Sequence, residues 1–199
     1  MEKRRFPLSR LPLIFLLLGA CATAPQGPKH ASAFPNKVAL LPLNNGSLDV
    51  SAPELIRNLL DSDLSATSID TVNTGVMDVK LRQLGITDGG QLRSVTPQKL
   101  GEALGAEGLL YGDIDEFKGV NVGVYVNRVI DVRLKLVDAK TGQTLWESQR
   151  RKAHTEARVG ADAIKTGITS DIFNSPFKES ASEVALLLIK DLSKARKSW

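Results

Sequence analysis

The sequence predicts an α/β protein with a single domain, in which helices pack on a mixed β-sheet that includes a long hairpin in its C-terminal half. Three observations lead to this fold class. A continuous apolar run over residues 38–43 is typical of a strand that is buried on both faces. Strand-like and helix-like apolar spacings then alternate up to residue 114, which is typical of α/β proteins. From residue 122 apolar residues occupy every second position, which indicates a long half-buried strand.

The first strand is followed by a turn and a helix. Pro42 is expected to take the end of the strand out of the ladder, and residues 44–47 are predicted to form a turn. Ser51 and Glu54 have the spacing of a capping box, which predicts a helix start. Its inward residues recur at helical spacing: Leu55, Ile56, Leu59, Leu60 and Leu64. The turn carries neither Gly-Lys-Ser/Thr nor G-x-G-x-x-G, so a phosphate site is not expected.

Two more strands and two short helices complete this half. A short strand is predicted over residues 69–72, and a loop over residues 86–95. A two-turn helix that stops before Gly85 is predicted to bury Val76, Met77, Leu81 and Leu84. Thr96 and Pro97 open the next helix, which ends at Gly105 and is predicted to bury Leu100, Ala103 and Leu104. Residues 109–114 are predicted to form the following strand.

The C-terminal half is predicted to contain a long hairpin and a closing helix. Even positions from Val122 to Leu136 are apolar except Arg128, a turn follows over residues 138–142, and residues 144–148 return as the partner strand. A helix over residues 161–173 is weakly indicated, because Gly167 interrupts it. The closing helix is predicted to start with a capping box of Ser180 and Glu183 and to bury Val184, Leu187, Leu188 and Leu192.

Residues 1–20 have the organisation of a secretory signal peptide. A basic start precedes an apolar run over residues 11–18, which is too short to cross a bilayer. Leu18-Gly19-Ala20-Cys21 resembles the lipobox of bacterial lipoproteins, and Cys21 is the only cysteine in the chain. The resemblance implies that the thiol is diacylated, that the signal is cut before Cys21, and that the new amino group receives a further acyl chain such as palmitate. An uncleaved signal anchor is the alternative.

The predicted boundaries follow from this signal. Residues 1–20 form the signal peptide, residues 21–36 the lipidated N-terminus and a flexible tether, and residues 37–199 the α/β domain. Because Ala22 rather than an aspartate follows the cysteine, resemblance to enterobacterial sorting rules favours the outer membrane. We expect the domain to face the periplasm rather than the cell exterior.

Charge argues against nucleic-acid binding. Removal of the signal takes away four of the 26 basic and one of the 22 acidic residues, so that 22 and 21 remain. A nearly neutral domain lacks the strong basic footprint of nucleic-acid-binding proteins. With Cys21 lipidated, no disulfide can form.

Residues suited to catalysis are few. H-E-x-x-H and G-x-S-x-G are absent, and His154 is the only histidine of the predicted domain, so a histidine-assisted nucleophile is not expected. Asp113 and Asp115 alternate on one strand and could bind calcium or act as an acid–base pair. A hydrolase of unrecognised type that uses these two carboxylates is therefore kept as an alternative. No cofactor or resident metal is expected.

Two features favour binding. The basic run Arg150-Arg151-Lys152 could meet anionic headgroups or an acidic partner, although a solvated strand end has the same composition. The hairpin from Val122 to Arg151 is expected to lie in the sheet, with a membrane-inserting pair in an oligomer as the alternative. Insertion would place Arg128 in lipid, at a cost of about 2–4 kcal/mol at the bilayer centre.

Four stretches resemble a known family: residues 38–45, 95–97, 105–112 and 136–146. It is a family of bacterial lipoproteins of unknown function that includes a neisserial surface antigen, and its fold is related to the N-terminal domain of TolB and the periplasmic domain of the curli secretion lipoprotein CsgG. The resemblance implies a mixed sheet with helices and a part in envelope assembly or secretion. It carries over no catalytic residue.

The resulting functional prediction is a non-enzymatic outer-membrane lipoprotein. Its expected partners are the membrane, through lipid on Cys21, and other envelope proteins, for which it would act as a binding or scaffold protein. A CsgG-like oligomeric secretion-channel subunit is the main alternative, and a homo-oligomer is left open.

Overall fold

The computed structural model describes residues 33–121, 125–157 and 176–199. The strands are β1 (Lys37–Leu40), β2 (Asn44–Asn45), β3 (Asp70–Thr71), β4 (Gly108–Asn121), β5 (Tyr125–Asp138) and β6 (Thr144–Ala157). The helices are α1 (Ala52–Ser65), α2 (Thr74–Gln83), α3 (Pro97–Leu104) and α4 (Pro176–Arg196), with a 3₁₀ helix at Gly89–Ser94. The predicted signal, Cys21, most of the tether, Val122 and the predicted helix 161–173 lie outside the described residues.

The strands form one mixed sheet, as predicted. Their order is β3-β1-β4-β5-β6, and β2 pairs with β4 beyond the end of β1. Strands β3, β1 and β4 are parallel, as are β2 and β4, whereas β4, β5 and β6 form an antiparallel meander. The long hairpin of the C-terminal half is therefore confirmed, and it is part of a larger meander.

Helices cover the two faces of the sheet unequally. On one face α1 and α4 share a core with the even positions of β5, which include Ile130, Val132, Leu134 and Leu136. On the other face α2 and α3 pack over β1 and the start of β4 through Met77, Leu81, Leu100 and Leu104. On that second face β5 and β6 carry charged side chains such as Asp131, Arg133 and Glu147, which are half-buried or exposed. The apolar alternation in β5 thus marks the face under α1 and α4.

The start of the domain confirms the buried strand and corrects the turn. Val38, Ala39 and Leu40 are at most 1% exposed, as expected for a strand covered on both faces. Pro42 does interrupt the ladder, but Asn44 and Asn45 pair with β4 again instead of forming a turn. The predicted capping box at Ser51 is wrong as well, because its hydroxyl donates to the Asp49 carboxylate.

The helix prediction was most accurate for α3, whose sequence has both an N-capping residue and a terminal glycine. Thr96 caps α3 by accepting from the Lys99 amide, and Gly105 closes that helix in the left-handed conformation. In contrast, Val76 is 55% exposed and Leu187 is 39% exposed, although both were predicted to face inward. Ser180 lies inside α4, so a capping box there is wrong, and residues 89–94 form a 3₁₀ helix within the predicted loop.

The meander is longer than the apolar pattern indicated. β4 continues to Asn121 and β6 to Ala157, so that each of the three strands has 14 residues. The register shifts between Ile114 and Glu116, which places a bulge at Asp115. Beyond the bulge, Phe117 packs edge-on against Phe177 of α4, with ring centroids 4.5 Å apart.

Candidate interaction site

A groove of about 560 Å³ lies where the parallel strands β1 and β3 end. Its walls are the segment that follows β1, the first turns of α1 and α2, and the start of the 3₁₀ helix, with lining residues that include Asn44, Val50, Glu54, Arg57, Asp78 and Asp88. We call it the carboxyl-edge groove. Crevices beyond the carboxyl ends of strands are common binding sites in α/β proteins.

An ion pair joins the two helices that border the groove. The Arg57 guanidinium donates from both terminal nitrogens to Asp78, over 2.9 and 2.8 Å, and the same side chain donates to the Leu40 carbonyl. The Arg57 side chain is only 14% exposed and that of Asp78 is 35% exposed. Bidentate geometry of this kind fixes direction as well as distance. The pair therefore holds α1 and α2 at a set separation. Because Arg57 is bound to Asp78, its positive charge is compensated within the wall of the groove.

A close backbone contact holds the third wall. Gly89 is buried, and a Cβ atom at this position would lie 2.2 Å from the carbonyl carbon of Leu43. Only glycine lets the 3₁₀ helix approach the strand segment this closely. The Asp88 carboxylate caps that helix by accepting from the amides of Gly90 and Gln91.

The loop over residues 46–51 presents two apolar side chains to solvent. Leu48 is fully exposed and Val50 is 92% exposed, and Val50 also lines the groove. Side-chain hydrogen bonds order the loop: Asn45 donates to the Asp49 carbonyl, and the Ser47 amide donates to Asn45. These two side chains are therefore exposed although the loop that carries them is ordered. Sequence reasoning missed both residues, although apolar letters inside a polar loop were a visible signal.

Apart from the Arg57–Asp78 pair, the charged side chains that line the groove are acidic. Glu54 stands exposed in the first turn of α1, and Asp88 is exposed on the opposite wall. The lining cation, Arg57, is already paired with Asp78. A smaller side cavity of about 220 Å³ adjoins this wall and is lined by Arg82.

The predicted carboxylate pair is not assembled as an acid–base site. Asp113 accepts from the Asn44 amide at 2.8 Å, and the Arg93 guanidinium lies 3.7 Å away. Asp115 instead accepts from Arg133 at 2.7 Å, and this hydrogen bond raises the pKa of the arginine. Because each carboxylate has its own partners on an open strand face, the structure gives no support to joint acid–base work. Neither residue lines the carboxyl-edge groove.

The basic run on β6 is also engaged within the domain. Arg150 pairs with Asp191 of α4 at 2.5 Å, and Lys152 pairs with Glu183 of the same helix. Arg151 turns to the other face and pairs with Glu116 at 2.8 Å. This arrangement agrees with a solvated strand edge and not with a free basic patch. His154 lies exposed near the end of the same strand.

The described ranges contain neither a metal cluster nor a membrane-spanning helix. Within residues 33–121, 125–157 and 176–199, no three metal-ligating side chains cluster, and no helix is both long and apolar enough to cross a membrane. Arg128 is 6% exposed, so the side chain that breaks the apolar pattern is buried in the domain. The apolar face of β5 from Ile130 to Leu136 is covered by α1 and α4, as expected for a hairpin that lies in the sheet.

The fold and the groove belong to an α/β domain that matches a family of lipoproteins. The family model described as "Putative lipoprotein GNA1162-like" matches residues 29–189. The chain belongs to this family, which confirms the resemblance found in the sequence.

Two matches in Neisseria meningitidis are similar to this chain. A protein of Neisseria meningitidis serogroup B (strain ATCC BAA-335 / MC58), named "Putative lipoprotein NMB1124/NMB1162", is 23% identical over 168 residues, which cover 80% of this chain and 78% of the relative. The crystal structure of lipoprotein GNA1162 from Neisseria meningitidis has a TM-score of 0.59 at 19% identity and covers 79% of this chain and 99% of its own. This structural likeness shows a shared fold.

A second solved structure has a similar fold. The PelC dodecamer from Paraburkholderia phytofirmans matches with a TM-score of 0.51 at 15% identity, over 79% of this chain and 90% of that one. The relation to TolB and CsgG stays a prediction.

Proposed function

We propose that this protein is a lipid-anchored lipoprotein of the outer membrane whose α/β domain binds other envelope proteins and catalyses no reaction. One observation carries the proposal: a lipobox-like Leu18-Gly19-Ala20-Cys21 precedes a domain of a lipoprotein family. The boundaries are residues 1–20 for the signal, 21–36 for the lipidated tether and 37–199 for the domain.

Lipid on Cys21 would supply the attachment. One acyl chain binds a membrane only marginally, at about 0.8 kcal/mol per buried CH₂, so stable anchoring needs more than one. The diacylated and N-acylated cysteine that the lipobox implies meets this requirement. The 15 residues that follow Cys21, residues 22–36, can span at most about 50 Å, which lets the domain stand clear of the lipid surface. We place the domain on the periplasmic side.

The described side chains support a binding role. Asp113 and Asp115 each lie beside a different arginine, Arg93 and Arg133 respectively, and do not form a joint acid–base site. By contrast, an ordered loop exposes both Leu48 and Val50 to solvent, and exposed apolar surface is one mark of protein contact sites. Contact with other proteins is the function that this geometry supports best.

Crosslinking in intact cells tests the proposal. We expect wild type to fractionate with outer membranes and to form lysine-mediated crosslinks with envelope proteins. Cys21→Ser should remove the protein from the outer-membrane fraction and lower the crosslink yield. Outer-membrane retention of Cys21→Ser, or a domain that stays uncrosslinked at native abundance, would overturn the proposal.

An oligomeric secretion-channel subunit is the second candidate. The observation in its favour is the fold likeness to the subunit of the PelC dodecamer. Native mass spectrometry of the detergent-extracted lipoprotein separates the candidates: a ring of defined stoichiometry favours the channel subunit, and a monomer excludes it.

A further inference from the structure

We propose that the carboxyl-edge groove and the neighbouring side chains of Leu48 and Val50 dock a segment of another envelope protein that carries basic side chains next to apolar ones. This inference rests on the proposed function and names its contact surface and the chemistry of its partner. Three observations carry it: the presented apolar side chains, the acidic charge of the groove, and the position of the site in the domain.

The apolar part of the site is preorganised. Leu48 is fully exposed and Val50 is 92% exposed. Asn45 holds the loop from inside through the Asp49 carbonyl, and the Gly46 amide donates to the Ile114 carbonyl of β4 at 2.8 Å. A loop that is already ordered loses little conformational freedom on binding, which favours affinity. A partner would cover both side chains without reshaping the domain.

Charge selects the partner's chemistry. Glu54 and Asp88 face the groove from opposite walls, while Arg57 is bound to Asp78 and to the Leu40 carbonyl. The side chains that line the groove therefore carry a net negative formal charge, and Arg82 lines the adjoining side cavity. Such a surface complements lysine or arginine side chains. It disfavours anionic lipid headgroups, although exposed apolar loops often contact membranes.

The docking surface lies away from the point where the chain enters the domain. Near the start of the domain the Asn36 amide donates to Glu107, just before β4, whereas Gly46 pairs at Ile114. Seven residues of extended strand separate these two levels, which corresponds to about 23 Å. The docking surface thus lies at the carboxyl ends of the parallel strands, away from the point of chain entry and partway along β4.

Site-specific photocrosslinking in cells tests the inference on the full lipidated protein. A photoreactive phenylalanine analogue replaces Leu48 in one strain and Leu187, an exposed leucine on α4, in the matched control. Adducts are digested, and the crosslinked peptide is sequenced by mass spectrometry. We expect the Leu48 position to give one defined peptide of an envelope protein, with lysine or arginine beside apolar residues, and the Leu187 position not to give it.

Charge reversal provides the second readout. Glu54→Lys should lower the adduct yield at Leu48 about fivefold or more, because a like charge then faces the basic segment. Glu102→Lys, an exposed acid on α3, is the matched control and should leave the yield unchanged. Thermal melting of both variants checks that the domain stays folded.

The outcomes distinguish failure of the docking site from failure of the proposed binding function. Adducts to envelope proteins at Leu187 but none at Leu48 would overturn the docking site and leave the binding role standing. Adducts at Leu48 to lipid, to a second copy of this chain, or to an acidic peptide would also overturn it, as would a yield that Glu54→Lys does not change. No protein adduct at either position would count against both proposals.

Discussion

The ion pair between Arg57 and Asp78 should make a measurable contribution to stability. Arg57→Met keeps an apolar stem of similar length but removes two bonds to Asp78 and the donors to the Leu40 carbonyl. Exposed pairs contribute about 0.2–1 kcal/mol, and removal of one partner of a buried pair costs about 3–5 kcal/mol. The Arg57 side chain is 14% exposed and that of Asp78 is 35% exposed, so this pair lies between the exposed and the buried case. We therefore expect Arg57→Met to lower the free energy of unfolding by about 2 kcal/mol.

Urea denaturation followed by circular dichroism measures this loss. For a domain of this size, about 2 kcal/mol corresponds to a Tm decrease of about 4–8 °C. Arg93→Met is the control, because Arg93 is 80% exposed and lies 3.7 Å from Asp113, so its loss should stay below about 0.5 kcal/mol. A double-mutant cycle with Asp78→Asn isolates the pair itself. Equal effects of the two arginine substitutions would refute the role given to Arg57.

Three further perturbations address a wall of the groove, the core and a partly buried carboxylate. Gly89→Ala should destabilise by about 3 kcal/mol in urea denaturation, because its Cβ would collide with the backbone after β1. Phe177→Ala should cost about 3–5 kcal/mol in the same assay, since it removes the edge-on partner of Phe117. Burial raises the pKa of Asp63, so the folded state loses stability as pH rises through and above 3.8. Asp63→Asn should therefore have a higher Tm than wild type at pH 7 and the same Tm below pH 3.8.

Controls keep these three predictions specific. Gly90→Ala, where the nearest atom is a side-chain oxygen 3.1 Å away, should cost much less than Gly89→Ala. Leu186→Ala on the exposed side of α4 should change stability little compared with Phe177→Ala. A Tm difference between Asp63→Asn and wild type that does not vary with pH would contradict the assigned effect of burial.

Much of the fold was predictable because several local signals agreed. The α3 helix had an N-cap at Thr96, a proline in its first turn and a closing glycine at Gly105, and the structure confirms all three. The even positions of β5 were identified because a period of two persists over many residues and one face is buried.

The errors have physical causes that lie outside local sequence. Asn44 and Asn45 look like turn residues, yet they pair with β4 because the parallel ladder resumes after Pro42. Ser51 has the spacing of a capping box, but its hydroxyl donates to the Asp49 carboxylate instead. Strand β4 extends to Asn121 because it pairs with β5 along its whole length. The local sequence of β4 does not predict this extension.

The candidate site was least predictable. Arg57 and Asp78 are 21 positions apart and meet because the parallel strands set α1 against α2. Leu48 and Val50 looked like ordinary loop residues, and only the fold determines that nothing in the described domain covers them.

The mass of the mature N-terminal peptide tests the central claim most directly. Protein isolated from outer membranes of the native host would be digested and analysed for the peptide that contains Cys21. The account predicts that this peptide begins at Cys21 and carries a thioether-linked diacylglyceryl group together with an amide-linked acyl chain. A peptide with an unmodified thiol at Cys21, or one that still continues into residues 1–20, would contradict the account.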